Sequence, residues 1–181
     1  MLNSRDIALL RDDVRVNCEA FLALCREEGL NVLVTQTVRD DEYQATLYAQ
    51  GRTAPGEIIT NGKTVTFHRG LAFDICKNVK GHEYDDAAFF QRCGELGKRV
   101  GFSWGGDWRS FPDRPHFQWD DGGRHTGAMI RAGRLPRSMP RYEPDYRARL
   151  KKRAGLAEAT MEYLAKYRYG AELIRKLAQM E

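Results

Sequence analysis

The sequence predicts an α+β fold, because helical and strand-like patterns are mixed along its 181 residues without a regular strand–helix–strand rhythm. Residues 4–28 carry apolar side chains at spacings of three and four, which predicts an amphipathic helix that Ser4 can cap and Gly29 can end. The stretches NVLVTQT, residues 31–37, and LAFDIC, residues 71–76, are short β-forming runs and predict two buried strands.

The remaining elements of this region are shorter. Residues 40–50 and 85–101 have the helical spacing of apolar side chains, and a glycine stands at the end of each. Residues 57–67 hold an Asn-Gly pair between β-forming residues, which predicts a hairpin. Two further short strands are expected around Trp104 and at residues 116–119.

A change of composition after residue 130 predicts three regions. Residues 1–130 form the main domain, and residues 131–153 form a linker with nine Arg or Lys, two acidic residues and three prolines. Residues 154–181 regain helical spacing, and Gly170 divides them into a helical hairpin.

Composition and the N-terminus argue against several classes of protein. Lys and Arg exceed Asp and Glu by only four, 29 against 25, which is too few to predict nucleic-acid binding. No apolar run approaches the roughly 20 residues that span a bilayer, and the N-terminus lacks a signal-peptide pattern, so we expect a cytoplasmic protein without a membrane anchor. The four cysteines lack Cys-x-x-Cys spacing and are expected to be buried thiols: Cys18, Cys25, Cys76 and Cys93.

Two histidines and two carboxylates form the candidate site. Asp74 lies inside an apolar strand, where a carboxylate is costly to bury unless it meets a metal or a cation. Together with His68 and His116 it makes a ligand set that zinc accepts, with one position left for water. Asp113, held between two prolines, is placed to act as the base for that water. On spacing alone, ordinary structural or exposed residues remain the alternative.

Three segments together resemble a known family. They are VTQTVRDDEYQATLYAQGRT (34–53), TNGKTVTFHRGLAFDI (60–75) and WGGDWRSFPDRPHFQW (104–119). They are similar to zinc peptidases that cut peptidoglycan stem peptides, which comprise D-alanyl-D-alanine carboxypeptidases and dipeptidases and the L-alanyl-D-glutamate endopeptidases of bacteria and phage endolysins. The LYAQGRT and GGDW features look most like the endopeptidase branch. The resemblance implies a small antiparallel sheet flanked by helices, as also found in Hedgehog domains.

The resemblance implies a role for each matching residue. His68, Asp74 and His116 correspond to the zinc ligands, so the implied cofactor is Zn²⁺. Asp113 corresponds to the acidic general base three positions before the last histidine. Arg39 corresponds to the arginine that steadies the substrate carbonyl and its developing oxyanion.

Five further residues are candidates for substrate binding. Gln44 and Tyr48 fall on the helix that follows Arg39 in the family, although packing on the helix surface is an equal alternative. Trp104, Trp108 and Trp119 can flank the cleft or can simply be core and surface aromatics.

One departure from the family pattern affects His68. The family usually reads Ser-x-His-x-x-Gly-x-Ala-x-Asp, whereas this chain has Thr66 in place of the serine and one residue fewer between His68 and Gly70. A deletion within a strand would reverse the facing of the side chains. We expect the deletion to be absorbed in a loop before Gly70, since glycine accepts unusual backbone dihedrals.

The predicted function is zinc-dependent hydrolysis of peptidoglycan stem peptides, with the L-Ala–D-Glu bond as the expected target, in an enzyme of the phage or prophage endolysin type. The alternatives are a D-Ala-D-Ala carboxypeptidase or dipeptidase and a non-catalytic, zinc-stabilised binding module. Residues 131–153 can contact anionic wall polymers or be a solvated linker. Residues 154–181 can target the cell wall or pack on the main domain. An endolysin without a signal peptide would accumulate in the cytoplasm until it is released to the wall.

Overall fold

The computed structural model describes residues 1–180. The chain folds into two compact units. The first unit is Met1–Tyr142, and the second begins at Glu143. The first unit contains a five-stranded sheet together with helices, which confirms the predicted α+β class and the antiparallel sheet.

The sheet of the first unit has the strand order β1-β2-β3-β5-β4, and every neighbouring pair is antiparallel. The strands are β1 (Asn3–Ser4), β2 (Val32–Arg39), β3 (Arg69–Lys77), β4 (Ser103–Trp104) and β5 (His116–Gln118). The helices of this unit are α1 (Asp12–Glu27), α2 (Asp41–Ala49), α3 (Ala87–Arg99) and α4 (Gly127–Arg131), and 3-10 turns lie at Ile7–Leu9 and Gly105–Asp107.

The core lies on one face of this sheet, under α1 and α3. Phe73 of β3 stacks on Phe117 of β5 with ring centroids 5.4 Å apart, and Phe21 of α1 covers Phe117 at 5.0 Å. Because side chains alternate along a strand, Asp74 and His116 point to the opposite face of the sheet. The two residues are also register partners, and Gln36 of β2 faces Asp74 from the other side. The pairing therefore assembles polar residues from three strands at one place.

A glycine in α3 permits the close packing of this helix on the sheet. A Cβ atom at Gly97 would lie 2.3 Å from Cε1 of Phe117, which is itself fully buried. We expect Gly97→Ala to lower the free energy of unfolding by about 1–3 kcal/mol, the usual cost of overpacking a core. Urea denaturation measures the change, and Gln91→Ala on the exposed side of α3 is the matched control. An unchanged midpoint in the Gly97 variant would contradict this packing.

The N-terminal helix is shorter than predicted. Residues 4–28 were expected to be helical throughout, but α1 begins at Asp12. Asp6 caps the 3-10 turn that precedes it, and the Arg11 amide donates to the carbonyl of Gly70. The buried Leu10 follows that turn in extended backbone. Its position in the sequence fits the helical spacing of apolar residues, although the residue is not helical.

The hairpin predicted at residues 57–67 is wrong, because this segment forms no strand. Side chains of α2 take the backbone groups that a hairpin would have paired. Gln44 Nε2 donates to the carbonyl of Gly62, and Asp41 Oδ1 accepts from the amide of Val65. The segment therefore runs as an irregular loop anchored on α2.

The predicted linker is divided between the two units, and the first unit extends beyond residue 130 to Tyr142. Residues 132–142, called the strap below, pack against α1 and the core of the first unit. Asn17 of α1 donates to the carbonyl of Pro140 at 2.8 Å and accepts from the amide of Tyr142 at 2.9 Å. Met139 is buried in the core. This part of the segment is thus a packed extension and not a spacer.

The second unit has three helices, which are α5 (Tyr146–Ala154), α6 (Glu158–Lys166) and α7 (Gly170–Gln179). Two of them, α6 and α7, lie in the region predicted as a helical hairpin, and α5 lies almost entirely in the region predicted as linker. Gly155 ends α5 in the left-handed region, with φ 61°. The unit has a small core of its own, formed by Leu150, Met161, Ile174 and Ala178. Arg and Lys are good helix formers, which is consistent with the helical state of the basic residues 147–153.

The helices of both units are short, and α1 has 16 residues. Within residues 1–180, none combines the length and the apolar character that a bilayer crossing demands.

Candidate metal centre

The face of the sheet opposite the core opens into a cleft of about 690 Å³. Its lining includes His68, Asp74 and His116 together with Asp113 and Arg39. The structure thus brings together, in one place, the five residues that the sequence predicted as ligands and catalytic groups.

The two histidines and Asp74 are close enough to share one cation. Their candidate ligand atoms all lie within 4.8 Å of one another. Asp74 Oδ2 is 3.3 Å from His68 Nε2, and Asp74 Oδ1 is 2.9 Å from His116 Nδ1. Although burial disfavours the charged carboxylate, the facing histidines hold the pKa of Asp74 well below its ordinary value. Asp74 is therefore anionic, as a metal ligand must be.

His68 has the protonation state of a ligand. Its Nδ1 lies 3.0 Å from the carbonyl oxygen of Thr37, and because a carbonyl only accepts, Nδ1 carries the proton. Burial lowers the pKa of His68, so the ring is neutral and Nε2 keeps a lone pair. This buried Nε2 has no hydrogen-bond partner and faces Asp74. Two acceptors facing each other are unfavourable unless a cation lies between them, so the site fits a metal ion.

The pKa of His116 is shifted in the opposite direction to that of His68, because His116 contacts Asp74. Burial favours the neutral ring, but the hydrogen bond and charge of Asp74 raise the pKa of His116 above its ordinary value. A bound cation would take the place of the proton between Nδ1 of His116 and Asp74.

The backbone around Asp113 is held by the GGDW turn. The Asp113 amide donates to the carbonyl of Gly105 at 2.9 Å, and the His116 amide donates to the carbonyl of Asp113 at 3.2 Å. A Cβ atom at Gly105 would lie 2.4 Å from the Asp113 carbonyl oxygen, so only glycine fits. Burial raises the pKa of Asp113, which suits a carboxyl group that must take up a proton and release it.

Arg39, at the end of β2, is fixed by two glutamines. Its Nε donates to Gln44 Oε1 at 2.6 Å, and its Nη1 donates to Gln36 Oε1. Nη1 also lies 3.9 Å from Asp74 Oδ2. Since Gln44 uses its amide nitrogen on Gly62, both ends of this buried side chain are occupied within the protein. Gln44 therefore orients Arg39 from the wall of the cleft.

Three of the predicted substrate-binding residues lie elsewhere. Tyr48 is outside the lining of the cleft, and its ring is covered by the Arg52 guanidinium at 4.0 Å. Trp104 is buried against Gly94, and Trp119 is buried in the core on the same side of β5 as Phe117. Their indole nitrogens donate to carbonyl groups, of Arg114 and Arg137 respectively.

Of the three tryptophans, Trp108 lines the cleft. Its ring centroid lies 5.2 Å from that of His116, and 37% of the residue is exposed. An exposed aromatic face beside the candidate ligands can contact a substrate.

The shortened segment after His68 is accommodated at Gly70, as the sequence predicted. Gly70 has φ +98°, and the Leu71 amide closes a turn onto the carbonyl of Phe67 at 2.9 Å. The Arg39 amide donates to the carbonyl of His68 at 3.1 Å, which ties the histidine to β2. His68 therefore reaches the site despite the missing residue.

The cleft also contains polar residues that were not predicted. Gln36, Tyr43, Tyr84 and Gln118 all line it. The sequence did contain a signal for Gln36, because it is a glutamine inside the apolar run NVLVTQT and a buried amide needs hydrogen-bond partners. Gln118 stands two residues after His116 on one strand, so alternation places both on the same face. Tyr84 lies in a loop, where the sequence gives no such signal.

A buried, anionic carboxylate between two imidazoles, with a carboxyl group and an arginine beside it in an open cleft, defines the site of a metal-dependent hydrolase. A family model described as D-alanyl-D-alanine carboxypeptidase, one of the M15 peptidases, matches residues 60–119, which contain His68, Asp74, Asp113 and His116. The chain belongs to the M15 family of peptidases, which are metallopeptidases.

Two curated relatives support this assignment. The peptidoglycan L-alanyl-D-glutamate endopeptidase CwlK of Bacillus subtilis (strain 168) is 34% identical over 117 residues, which is 58% of this chain and 70% of that protein. The L-alanyl-D-glutamate peptidase of Listeria phage A118 is 30% identical over 121 residues, which is 65% of this chain but 40% of the phage protein.

Two solved structures are also similar in part. The L-Ala D-Glu endopeptidase ChiX of Serratia marcescens has a TM-score of 0.44 at 16% identity and covers 65% of this chain and 87% of its own. The LD-carboxypeptidase LdcB has a TM-score of 0.45 at 18% identity and covers 70% of this chain and 65% of its own.

Proposed function

We propose that this protein is a zinc-dependent endopeptidase of the endolysin type that hydrolyses the L-Ala–D-Glu bond of peptidoglycan stem peptides. The observation that carries the proposal is the unpartnered lone pair of His68 Nε2, which faces Asp74 beside His116 in an open cleft. The choice of bond is supported by the two curated relatives, whose names specify that linkage.

His68, Asp74 and His116 would hold the metal. Two imidazole nitrogens and one carboxylate oxygen form a donor set typical of catalytic zinc, in which a fourth position stays open. Bound there, zinc would supply a Lewis acid that polarises the scissile carbonyl and makes water easier to deprotonate.

Asp113 is the proposed general base and acid. Its carboxylate would accept the proton of the attacking water and then donate it to the nitrogen of the leaving amine. The raised pKa of Asp113 favours both transfers, because a carboxyl group of ordinary acidity holds a proton too weakly to deliver it. The hydrogen bonds to Gly105 and His116 hold its backbone in position before substrate arrives.

Arg39 is the proposed donor to the oxygen on which negative charge develops. Its guanidinium is held by Gln36 and Gln44, so little reorganisation is needed during the reaction. Trp108, at the rim of the cleft, is the proposed contact for the substrate peptide.

The basic residues 131–153 were predicted to contact anionic wall polymers, and the positive composition of the segment is the support for that proposal. Part of this charge is neutralised within the protein. Arg137 pairs with Asp121, and both Arg147 and Lys151 pair with Glu158.

Product analysis on a defined stem peptide that contains L-Ala–D-Glu and ends in D-Ala–D-Ala tests the proposed reaction. With zinc-loaded protein we expect a fragment with a new N-terminal D-Glu and no release of D-Ala, and treatment with a chelator should stop the reaction until zinc is restored. Release of D-Ala or its dipeptide would instead indicate a carboxypeptidase or dipeptidase. An intact peptide would indicate a binding module.

A further inference from the structure

A chain of buried hydrogen bonds leads from His116 away from the cleft. His116 Nε2 lies 3.0 Å from Gln118 Oε1, and Gln118 Nε2 donates to Asp120 Oδ2 at 2.8 Å. The other oxygen of Asp120, Oδ1, accepts from Ser103 Oγ at 2.6 Å and from the Gly123 amide at 2.8 Å. His116, Gln118 and Asp120 are all at most 7% exposed, so water does not replace these partners.

The direction of each hydrogen bond follows from Asp120. A carboxylate only accepts, so Gln118 must turn its amide nitrogen toward Asp120 and its oxygen toward His116. An amide oxygen also only accepts, and Nε2 of His116 must therefore carry a proton. The nitrogen left to bind a cation is Nδ1, which is the one that faces Asp74.

The other histidine presents the opposite nitrogen. The Thr37 carbonyl accepts a hydrogen bond from Nδ1–H of His68, so the unprotonated Nε2 faces the site. His68 is fixed by backbone, whereas His116 is fixed by a side chain whose own orientation depends on Asp120. The hydrogen bond that orients His116 can therefore be broken by a change at Asp120, two hydrogen bonds away from the ring.

We propose that Gln118, oriented by Asp120, is a positioning residue that fixes Nδ1 of His116 as the metal-binding nitrogen. The inference rests on the proposed function in that a metal must occupy the site, and it concerns zinc affinity and not the bond that is cleaved. Partners of this kind typically contribute about 10–100-fold to metal affinity.

Asp120→Asn is the decisive variant. The Gly123 amide always donates, so it selects the oxygen of the new side chain and leaves the NH₂ group facing Gln118. The Gln118 amide must then flip and present its own NH₂ to Nε2–H of His116. Two donors would face each other, and the hydrogen bond to the metal-binding ring would be lost.

Zinc affinity of the full chain, measured by competition with a chromophoric chelator, is the first readout. We expect Asp120→Asn and Gln118→Met each to weaken zinc binding by about 10–100-fold. Ser103→Ala removes one donor to the same carboxylate but leaves Asp120 an acceptor, so it should bind zinc like the unaltered protein. Because Asp120 acts only through Gln118, the double variant Asp120→Asn, Gln118→Met should lose no more than either single variant.

Nuclear magnetic resonance of the zinc-loaded, ¹⁵N-histidine-labelled protein is the second readout. The unaltered protein should show a slowly exchanging Nε2–H and a metal-bound Nδ1 at His116, and both variants should lose the protection of Nε2–H. Unchanged affinity in Asp120→Asn, additive losses in the double variant, or an equal loss in Ser103→Ala would each overturn the inference. No peptide is used, so a protein that meets these expectations but cleaves nothing would refute the peptidase proposal alone.

Discussion

Asp113→Ala is expected to lower kcat for stem-peptide hydrolysis by about 10²–10⁴-fold while zinc stays bound, because general acid–base groups contribute on this scale. Asp113 lies in the cleft but is not one of the three residues that converge on the metal position. Its loss should therefore remove the proton acceptor without emptying the site. The rate is followed by the appearance of new N-terminal D-Glu, and zinc content is measured on the same samples.

Two further variants make this test specific. Asp113→Asn keeps the size of the side chain but not its basicity, so its rate should fall as far as that of the alanine variant. Asp107 is an exposed carboxylate in the 3-10 turn that binds the Asp113 backbone, it is paired with Lys98, and its replacement by alanine should leave the rate unchanged. Undiminished turnover without Asp113, or loss of zinc together with activity, would show that its role is not proton transfer.

Asp74→Ala is expected to abolish both zinc retention and activity. Asp74 is the only anionic member of the triad, and it contacts both histidines, at 3.3 Å and 2.9 Å. The drop in zinc affinity should exceed the 10–100-fold that is typical for residues outside the ligand set. Metal analysis after dialysis provides the measurement, and Asp74→Asn tests the loss of charge at nearly constant volume.

A second carboxylate–histidine pair offers the matched control for Asp74. Asp85 lies 2.6 Å from His82, but both side chains are exposed and lie outside the cleft. Asp85→Ala should leave zinc content and rate unchanged. A protein that retains one zinc per chain without Asp74 would contradict the proposed ligand set.

The sequence predicted those features that depend on local pattern. Apolar spacing predicted α3, and β-forming runs predicted β2 and β3, because each element buries one side against a common core. The convergence of His68, Asp74 and His116 depends on strand register, which places Asp74 opposite His116 across residues far apart in the chain. Residue types suggested this ligand set and the family resemblance favoured it, but the strand register that assembles it is not readable from one sequence.

The errors also have physical causes. Trp119 was expected in the cleft, although its position three residues after His116 on a strand predicts the opposite face. The same alternation would have indicated Gln118 as a cleft residue. The composition of the strap predicted a linker, because proline and arginine are typical of linkers and of packed extended segments alike. Attachment of the strap depends on the Pro140 carbonyl and the Tyr142 amide, which both bind Asn17, and composition carries no information on those contacts.

The attachment of the strap determines the position at which the first unit can be fused to another domain. Asn17 is fully buried, and both polar ends of its side chain are satisfied by residues beyond position 130. A chimera joined at residue 130 would leave the buried side-chain amide of Asn17 without hydrogen-bond partners. It would also expose the apolar surface beneath Met139. Tyr142 is therefore the earliest safe junction for a lysin built on this peptidase domain.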